Sequence, residues 1–288
     1  MSKVAQRFLV FLIGIPSVVI IVLFLPFCKN LVLNLTIIVF SIIGAVEFAA
    51  MLEKKQLLIN RVEAVILGSL APLAGTLALI FSNQQQWIFP FFIMSGASWI
   101  LLSGIFSRPQ NMGKIAGRIV AGFSIIIYPG LFLYWLVKMS SWEKSGIIIL
   151  IFLLLVILSD SSAWAAGMLF GKGNRGIIAI SPNKSIAGFI GVIVGAIIVS
   201  SGAALIVPSV FVLRHGSSVM PAVIFLGLCT SAAGALGDLA ESAIKRSCDL
   251  KDSGNIMLGR GGVLDSIDSI SVAAPVFYSL YNLLFINL

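Results

Sequence analysis

The chain is 288 residues long, and 59% of its residues are hydrophobic whereas only 10% are charged. Soluble domains carry about 25% charged residues, so this composition excludes a fold immersed entirely in water and indicates an integral membrane protein. Three cysteines without a CxxC pair exclude a disulfide framework, and the net charge of +8 is spread over short gaps between apolar runs, which does not indicate nucleic-acid binding.

Nine apolar runs are each long enough to form a transmembrane helix. The predicted spans are 8–27, 31–52, 62–81, 86–106, 118–137, 146–170, 185–207, 219–245 and 267–286. The first is predicted to be a retained helix, because it is too long for a signal peptide and no small-x-small cleavage site closes it. The expected fold is an all-α polytopic membrane protein of about nine transmembrane helices.

The basic residues predict the orientation of these helices. With the N-terminus inside, fifteen of the nineteen Lys and Arg residues fall in inward loops. The outward side keeps only Lys29, Lys138, Lys144 and Arg214. By the positive-inside rule, the N-terminus is predicted to be cytoplasmic and the C-terminus to lie outside.

Polar residues divide the chain unevenly, although a single membrane domain over 1–288 is expected. Up to residue 157 the only acids are Glu47, Glu53, Glu63 and Glu143. We therefore interpret 1–157 as hydrophobic scaffold helices and 158–288 as catalytic helices and cytoplasmic loops.

Asp160 is the first acidic residue of the polar half, and it lies inside the sixth predicted span. Insertion of an ionised Asp into the membrane costs about 2.5 to 3.5 kcal/mol. Asp160 is therefore predicted to be either a functional group or a packing residue whose polar atoms are satisfied by the neighbouring serines. Ala163, Gly167 and Gly171 are spaced by four, which predicts a close contact between helices.

The next polar segment, 171–185, spells GxGxxG, but no β-strand precedes it, so a dinucleotide site is excluded. It carries Lys172, Arg175 and Lys184, and Ser185 is placed to open the seventh helix. The segment is either a phosphate site at a helix N-terminus or an ordinary positive-inside loop with a helix cap.

The third polar segment holds most of the carboxylates. Asp238, Glu241 and Lys245 follow a spacing that places them on one helix face, and Asp265 and Asp268 open the ninth helix. The alternatives are carboxylates that complement the helix dipole and a surface ion pair of Glu241 with Lys245. Carboxylates beside cations are typical of Mg²⁺-dependent phosphate chemistry, and their position at helix ends indicates a lipid-phosphate enzyme.

Three stretches of this half resemble the phosphatidate cytidylyltransferases, or CDP-diacylglycerol synthases. The longest runs from Ser242-Ala-Ile-Lys-Arg through Lys251-Asp-Ser-Gly to Gly259-Arg-Gly-Gly-Val-Leu-Asp-Ser-Ile-Asp268. Two upstream stretches, 160–172 and 181–189, resemble the family in the same order.

The resemblance implies that CTP and phosphatidate form CDP-diacylglycerol and pyrophosphate, in phospholipid biosynthesis, with Mg²⁺ and with a second cation left open. It implies catalytic roles for Asp238, Asp265, Asp268 and Lys245, and substrate binding by Ser181, Lys184, Arg246, Lys251, Arg260 and Glu241. The implied metal ligands are Asp238, Asp265, Asp268, Asp160 and Asp252.

The resemblance also implies a bacterial-type inner membrane, an active site that faces the cytoplasm, and CTP, phosphatidate and membrane lipid as partners. No nucleic-acid partner is expected, and a homodimer is left open. The chain departs from the family pattern at Ile186, Ala187, Leu258, Arg260 and Ser266, which leaves nucleotide specificity open.

Two other functions fit the polar residues. A CTP-dependent polyprenol or lipid kinase would use a similar cluster but transfer the γ-phosphoryl group. A cation-coupled transporter could use intramembrane acids, but such transporters have helix breaks in two related halves, whereas polarity here is confined to one half.

Overall fold

A computed structural model describes residues 3–57, 59–81, 86–105, 109–216, 218–257, 259 and 261–286; for 3–11, 15 and 109–111 it describes the backbone only. The helices are α1 (Lys3–Phe24), α2 (Phe27–Glu53), α3 (Arg61–Ile80), α4 (Ile88–Ser103), α5 (Ile115–Ile125), α6 (Phe132–Met139), α7 (Ser145–Phe170), α8 (Ile186–Ile206), α9 (Val219–Ser247) and α10 (Leu264–Leu284). A π-helix (Ile126–Leu131) joins α5 to α6, and 3₁₀ turns cover Pro109–Lys114 and Pro208–Val210. In these ranges, extended pairing is limited to three isolated β-bridges.

All nine predicted spans fall on helical segments, and the described part of the chain contains seven helices that are long and apolar enough to cross a membrane. The other two predicted spans fall on shorter apolar helices, Leu12–Phe24 and Ile88–Ser103. The all-helical membrane class is therefore confirmed. The count of nine, the retained first helix and the orientation stay predictions.

The chain packs as two units, and each is built from two stretches of sequence. Unit 1 comprises Met1–Ser141 and Ser247–Ile267, and unit 2 comprises Trp142–Arg246 and Asp268–Leu288. The predicted boundary at 157 lies within α7, so it marks the change in sequence polarity and does not separate the packing units.

In unit 1, the predicted span 118–137 is α5, the π-helix and α6 in succession. The π-helix contains Pro129, which lacks the N–H that a regular helix requires and so favours a local change of hydrogen-bond pattern. Ser41 of α2 lies 2.6 Å from the Pro129 carbonyl oxygen and 2.7 Å from that of Gly68. This hydroxyl group therefore ties α2 to α3 and to the π-helix.

In unit 2, small residues let α7 and α8 pack closely. A Cβ added to Gly188 would lie 3.2 Å from the Ala163 carbonyl oxygen, and one on Gly167 would lie 3.2 Å from Ser185 Oγ. The helix contact predicted from Ala163, Gly167 and Gly171 is thus confirmed. Ser159 and Ser231 share a 2.8 Å hydrogen bond that joins α7 to α9.

Candidate active site

Unit 1 contains the loop 248–263, which connects α9 to α10 and which we name the signature loop. Glu47 of α2 is 5% exposed and binds the end of this loop. Its Oε1 accepts a hydrogen bond from the Val263 amide (3.0 Å), and its Oε2 accepts one from the Leu264 amide (2.9 Å) and one from Ser253 Oγ (3.3 Å). The first amides of a helix have no partner within it, so Glu47 caps α10 from another helix.

Asp265 binds the same loop from the first turn of α10. Its Oδ2 accepts hydrogen bonds from the Ser253 amide (2.9 Å), from Ser253 Oγ (2.9 Å) and from the Gly262 amide (2.7 Å). Ser253 therefore lies between two carboxylates, those of Asp265 and Glu47. The carboxylate of Asp265 thus holds the signature loop through hydrogen bonds. This structural role is additional to the predicted role of Asp265 as a metal ligand.

Glycines make room for these two carboxylates. A Cβ on Gly254 would lie 2.5 Å from Glu47 Oε1, and one on Gly262 would lie 2.5 Å from Glu47 Oε2. Gly261 has a φ of 100°, and a Cβ there would lie 2.6 Å from Asp265 Oδ2. Larger residues at these positions would displace the carboxylates from the loop.

The remaining predicted residues of unit 1 belong to the signature loop. Lys251 and Asp252 are exposed, whereas Arg260, like Leu258, lies outside the described residues. Near the start of the loop, Lys55 forms an exposed 2.8 Å ion pair with Asp249. The hydrogen bond to Asp249 raises the pKa of Lys55 above its ordinary value.

In unit 2, the structure brings two of the predicted polar segments together. Lys184 Nζ lies 2.8 Å from Asp238 Oδ2, so the segment 171–185 reaches the carboxylate face of α9. Ser185 accepts a hydrogen bond from the Gly188 amide at 3.1 Å. Ser185 therefore caps α8 as predicted, and the preceding lysine is held beside α9.

Glu241 and Lys245 form an ion pair of 2.6 Å within α9. The alternative of a surface pair is wrong, because the side chains are 0% and 11% exposed. Spacing along a helix predicts that two residues can meet, but the packing of neighbouring helices decides whether water reaches them. Removing one partner would therefore leave a buried charge.

Asp268 completes a set of three acids in unit 2. Its carboxyl group is buried and interacts electrostatically with the carboxyl groups of Glu241 and Asp238. Its Oδ1 accepts a 2.6 Å hydrogen bond from the Ser269 amide. We name Asp238, Glu241 and Asp268 the acidic cluster; Lys184 and Lys245 are its paired cations.

The other predicted residues of unit 2 differ in exposure. Asp160 is half-buried in α7, and Ser161 and Ser162 beside it donate their hydroxyl protons to main-chain carbonyls of their own helix. Ser181 is half-buried in the turn before α8, and Arg246 is exposed near the end of α9.

The chemistry of the acidic cluster fits a hard divalent cation. Mg²⁺ uses oxygen ligands and commonly takes one or two carboxylates while substrate phosphates supply further ligands. Within the described ranges, no three His, Cys, Asp or Glu side chains form a ready-made metal site. Two carboxylates and the oxygens of a bound triphosphate would together supply such ligands. The metal ligands stay a prediction, and the carboxylates of the acidic cluster have the oxygen donors that this prediction requires.

A cavity of about 840 Å³ lies elsewhere in unit 1, between α3, α4 and α5. None of the predicted site residues lines it. On its wall, Glu63 accepts hydrogen bonds from Arg118 Nη2 (2.7 Å) and from Trp99 Nε1 (2.9 Å). The partners of this buried acid therefore lie in α4 and α5 and not in the signature loop.

Glu47 is the functional candidate that the sequence analysis missed. The sequence places it among four acids of a predicted hydrophobic scaffold, yet it binds the loop that carries the family resemblance. The available signal was its position in the apolar run 31–52, because an acid inside a membrane span marks a functional site by default.

The fold and the acidic cluster define a helical membrane protein that carries a charged site of the kind used in phosphate chemistry. The sequence model described as the cytidylyltransferase family matches residues 5–284. The chain therefore belongs to the cytidylyltransferase family.

Several relatives of known name support this assignment. The chain is 36% identical over 162 residues to a phosphatidate cytidylyltransferase of Bacillus subtilis, and the aligned region covers 54% of this chain and 56% of that protein. It is 35% identical over 144 residues to one of Haemophilus influenzae, covering 47% and 46%. A third, of Staphylococcus haemolyticus, is 29% identical over 247 residues, covering 83% and 87%. The chain thus spans about half the length of the Bacillus and Haemophilus relatives. The resemblance to phosphatidate cytidylyltransferases that its motifs carry is confirmed.

Proposed function

We propose that the protein is a phosphatidate cytidylyltransferase that transfers CMP from CTP to phosphatidate, giving CDP-diacylglycerol and pyrophosphate in phospholipid biosynthesis. The observation that carries this proposal is the 2.8 Å pair of Lys184 with Asp238, which joins one of the stretches that resemble the family to the carboxylate face of α9, just before the longest stretch begins at Ser242. The names of the relatives supply the substrate class.

In the proposed reaction, a phosphate oxygen of phosphatidate attacks the α-phosphorus of CTP. The bond from that phosphorus to the bridging oxygen of the β-phosphate breaks, and pyrophosphate leaves with the bonding electrons. We assign to Lys184 and Lys245 the neutralisation of phosphate charge, which concentrates on the oxygens around the reacting phosphorus and on the leaving group. The attacking oxygen is already anionic, so no covalent enzyme intermediate is required.

Asp238 and Asp268 are the residues of unit 2 that we propose as holders of Mg²⁺. When bound, the ion neutralises triphosphate charge and favours departure of pyrophosphate. Glu241 is engaged with Lys245, so we assign it to the support of the cluster. Asp160, Asp252 and Asp265 stay predicted further ligands, and Lys251, Arg246, Ser181 and Arg260 stay predicted substrate contacts.

We also propose nine transmembrane helices in a bacterial-type inner membrane, with the N-terminus and the active site on the cytoplasmic side, where CTP is found. The distribution of basic residues supports this orientation. A homodimer is kept as a prediction only.

The decisive experiment supplies purified protein with phosphatidate, Mg²⁺ and CTP that is labelled at the α-phosphorus. We expect labelled CDP-diacylglycerol and an equal amount of pyrophosphate, and we expect Asp238→Asn to form neither. Release of CDP together with a phosphorylated lipid acceptor would instead identify the kinase alternative. Absence of any nucleotide turnover by well-folded protein would overturn the proposal.

A further inference from the structure

We infer that Glu47 is a positioning residue that holds the signature loop and the first turn of α10 in the conformation required for catalysis. The inference rests on the proposed function, because it concerns the loop that carries the predicted Lys251, Asp252 and Asp265. Glu47 itself is not proposed to touch the substrate.

The geometry requires a carboxylate at this position. Each oxygen of Glu47 accepts a hydrogen bond from a backbone amide, Val263 for Oε1 and Leu264 for Oε2. The Ser253 hydroxyl group, whose single proton is shared with Asp265, lies 3.3 Å from Oε2. A glutamine side chain has one acceptor oxygen and an NH₂ group that can only donate. Glu47→Gln therefore leaves the Val263 amide or the Leu264 amide facing another donor, in a site where Glu47 is 5% exposed.

Ser253 connects this anchor to Asp265. Its hydroxyl group lies 3.3 Å from Glu47 Oε2 and 2.9 Å from Asp265 Oδ2, and its amide donates to the same Asp265 oxygen. A displacement of the loop from Glu47 would therefore also change the environment of the Asp265 carboxylate. This linkage is how a scaffold residue can alter the rate without touching the substrate.

Unit 1 offers a matched control for the chemistry of a buried acid. Glu63 is likewise buried in a membrane helix of the first half, but its partners are the side chains of Arg118 and Trp99. Glu63→Gln makes the same chemical change as Glu47→Gln without altering a hydrogen bond to the signature loop. Glu63→Gln also leaves Arg118, whose side chain is 32% exposed, without its carboxylate partner. A larger effect of Glu47→Gln therefore reports on the loop and not on the loss of a buried charge.

The test compares wild type, Glu47→Gln and Glu63→Gln in detergent, by hydrogen exchange of peptides that cover 250–266 and by the kinetics of CDP-diacylglycerol formation. In Glu47→Gln we expect exchange of the Val263 and Leu264 amides to accelerate about tenfold or more, because local opening sets amide exchange. We expect kcat/KM to fall by at least about tenfold. In Glu63→Gln both quantities should stay within about twofold of wild type.

Gly254→Ala keeps the carboxylate and provides a second variant if Glu47→Gln does not fold. Its Cβ would lie 2.5 Å from Glu47 Oε1, so it should loosen the same contact and change both readouts in the same direction. If the Val263 and Leu264 amides of Glu47→Gln exchanged at the wild-type rate, the inference that Glu47 holds the loop would be overturned. Gly254→Ala provides the same test if Glu47→Gln does not fold. Faster exchange with unchanged kcat/KM would overturn the positioning role.

The two proposals can fail separately. If wild type forms no CDP-diacylglycerol, the proposed function is lost, whereas the exchange comparison still tests whether Glu47 holds the loop. If wild type is active and Glu47→Gln equals Glu63→Gln in both readouts, only the inference on Glu47 is overturned.

Discussion

Lys184 and Asp238 form an ion pair in which Nζ and Oδ2 are 2.8 Å apart. Lys184 lies just before α8, whereas Asp238 lies in the second half of α9. Both side chains keep some exposure, 23% for Lys184 and 40% for Asp238, so a substrate can reach them. A pair with this exposure contributes little to stability, about 0 to 1 kcal/mol. We therefore expect its main contribution to be to the proposed site.

Lys184→Met should separate these two contributions. We expect kcat/KM for CTP to fall at least about tenfold, because charge-assisted hydrogen bonds to phosphate contribute about 1.5 to 3 kcal/mol. The thermal unfolding temperature should change little. Steady-state kinetics and thermal unfolding on the same preparation make the comparison, and near-normal kcat/KM would remove Lys184 from the site.

Lys245→Met should behave differently, because its partner Glu241 is fully buried. Breaking a buried pair costs about 3 to 5 kcal/mol, so this variant should unfold at a clearly lower temperature. The double variant Glu241→Gln/Lys245→Met should recover much of the stability but remain inactive. Lys55→Met, which breaks the exposed pair with Asp249, is the control and should leave stability nearly unchanged.

Removal of the divalent cation should abolish turnover, and added Mg²⁺ should restore it, because the acidic cluster needs a cation to bind a triphosphate. Asp268→Asn should raise the Mg²⁺ concentration required for half-maximal rate, since an amide lacks the carboxylate charge. The measurement is rate against free Mg²⁺ for wild type and variant. Full activity in excess chelator would contradict the predicted dependence.

The packing of α7 against α8 predicts a contrast between two glycines of one helix. A Cβ on Gly191 would lie 2.6 Å from the Ser162 carbonyl oxygen, whereas one on Gly202 would meet nothing within 4 Å. Gly191→Leu should destabilise the protein by about 1 to 3 kcal/mol or more, as overpacking does. Gly202→Leu should have a much smaller effect in the same thermal unfolding assay, and equal effects would refute the close helix contact.

Cysteine labelling tests the proposed orientation. In a variant whose three native cysteines are replaced by serine, single cysteines at Asn183 and Asn255 should react only from the cytoplasmic side, and one at His215 only from outside. All three positions are exposed, so an impermeant reagent can reach them. Labelling of Asn183→Cys in intact cells would overturn both the orientation and the cytoplasmic site.

The sequence by itself determined the features that depend on neighbouring residues. Apolar runs identify the helices because insertion into a bilayer depends on the composition of about 20 consecutive residues. Ser185 was recognised as the cap of α8 because capping involves residues within one turn. The spacing of Glu241 and Lys245 similarly allowed their pairing to be anticipated.

Only the tertiary structure decided how far these groups are buried and which distant groups meet. It buried the Glu241–Lys245 pair, which was weighed as a surface pair, and it placed Lys184 beside Asp238. It also brought Glu47 to Ser253 and Leu264, which are 206 and 217 residues away along the chain. No local pattern encodes such contacts, because the partners of a buried carboxylate are set by which segments pack around it and by the need to satisfy its oxygens where water is excluded.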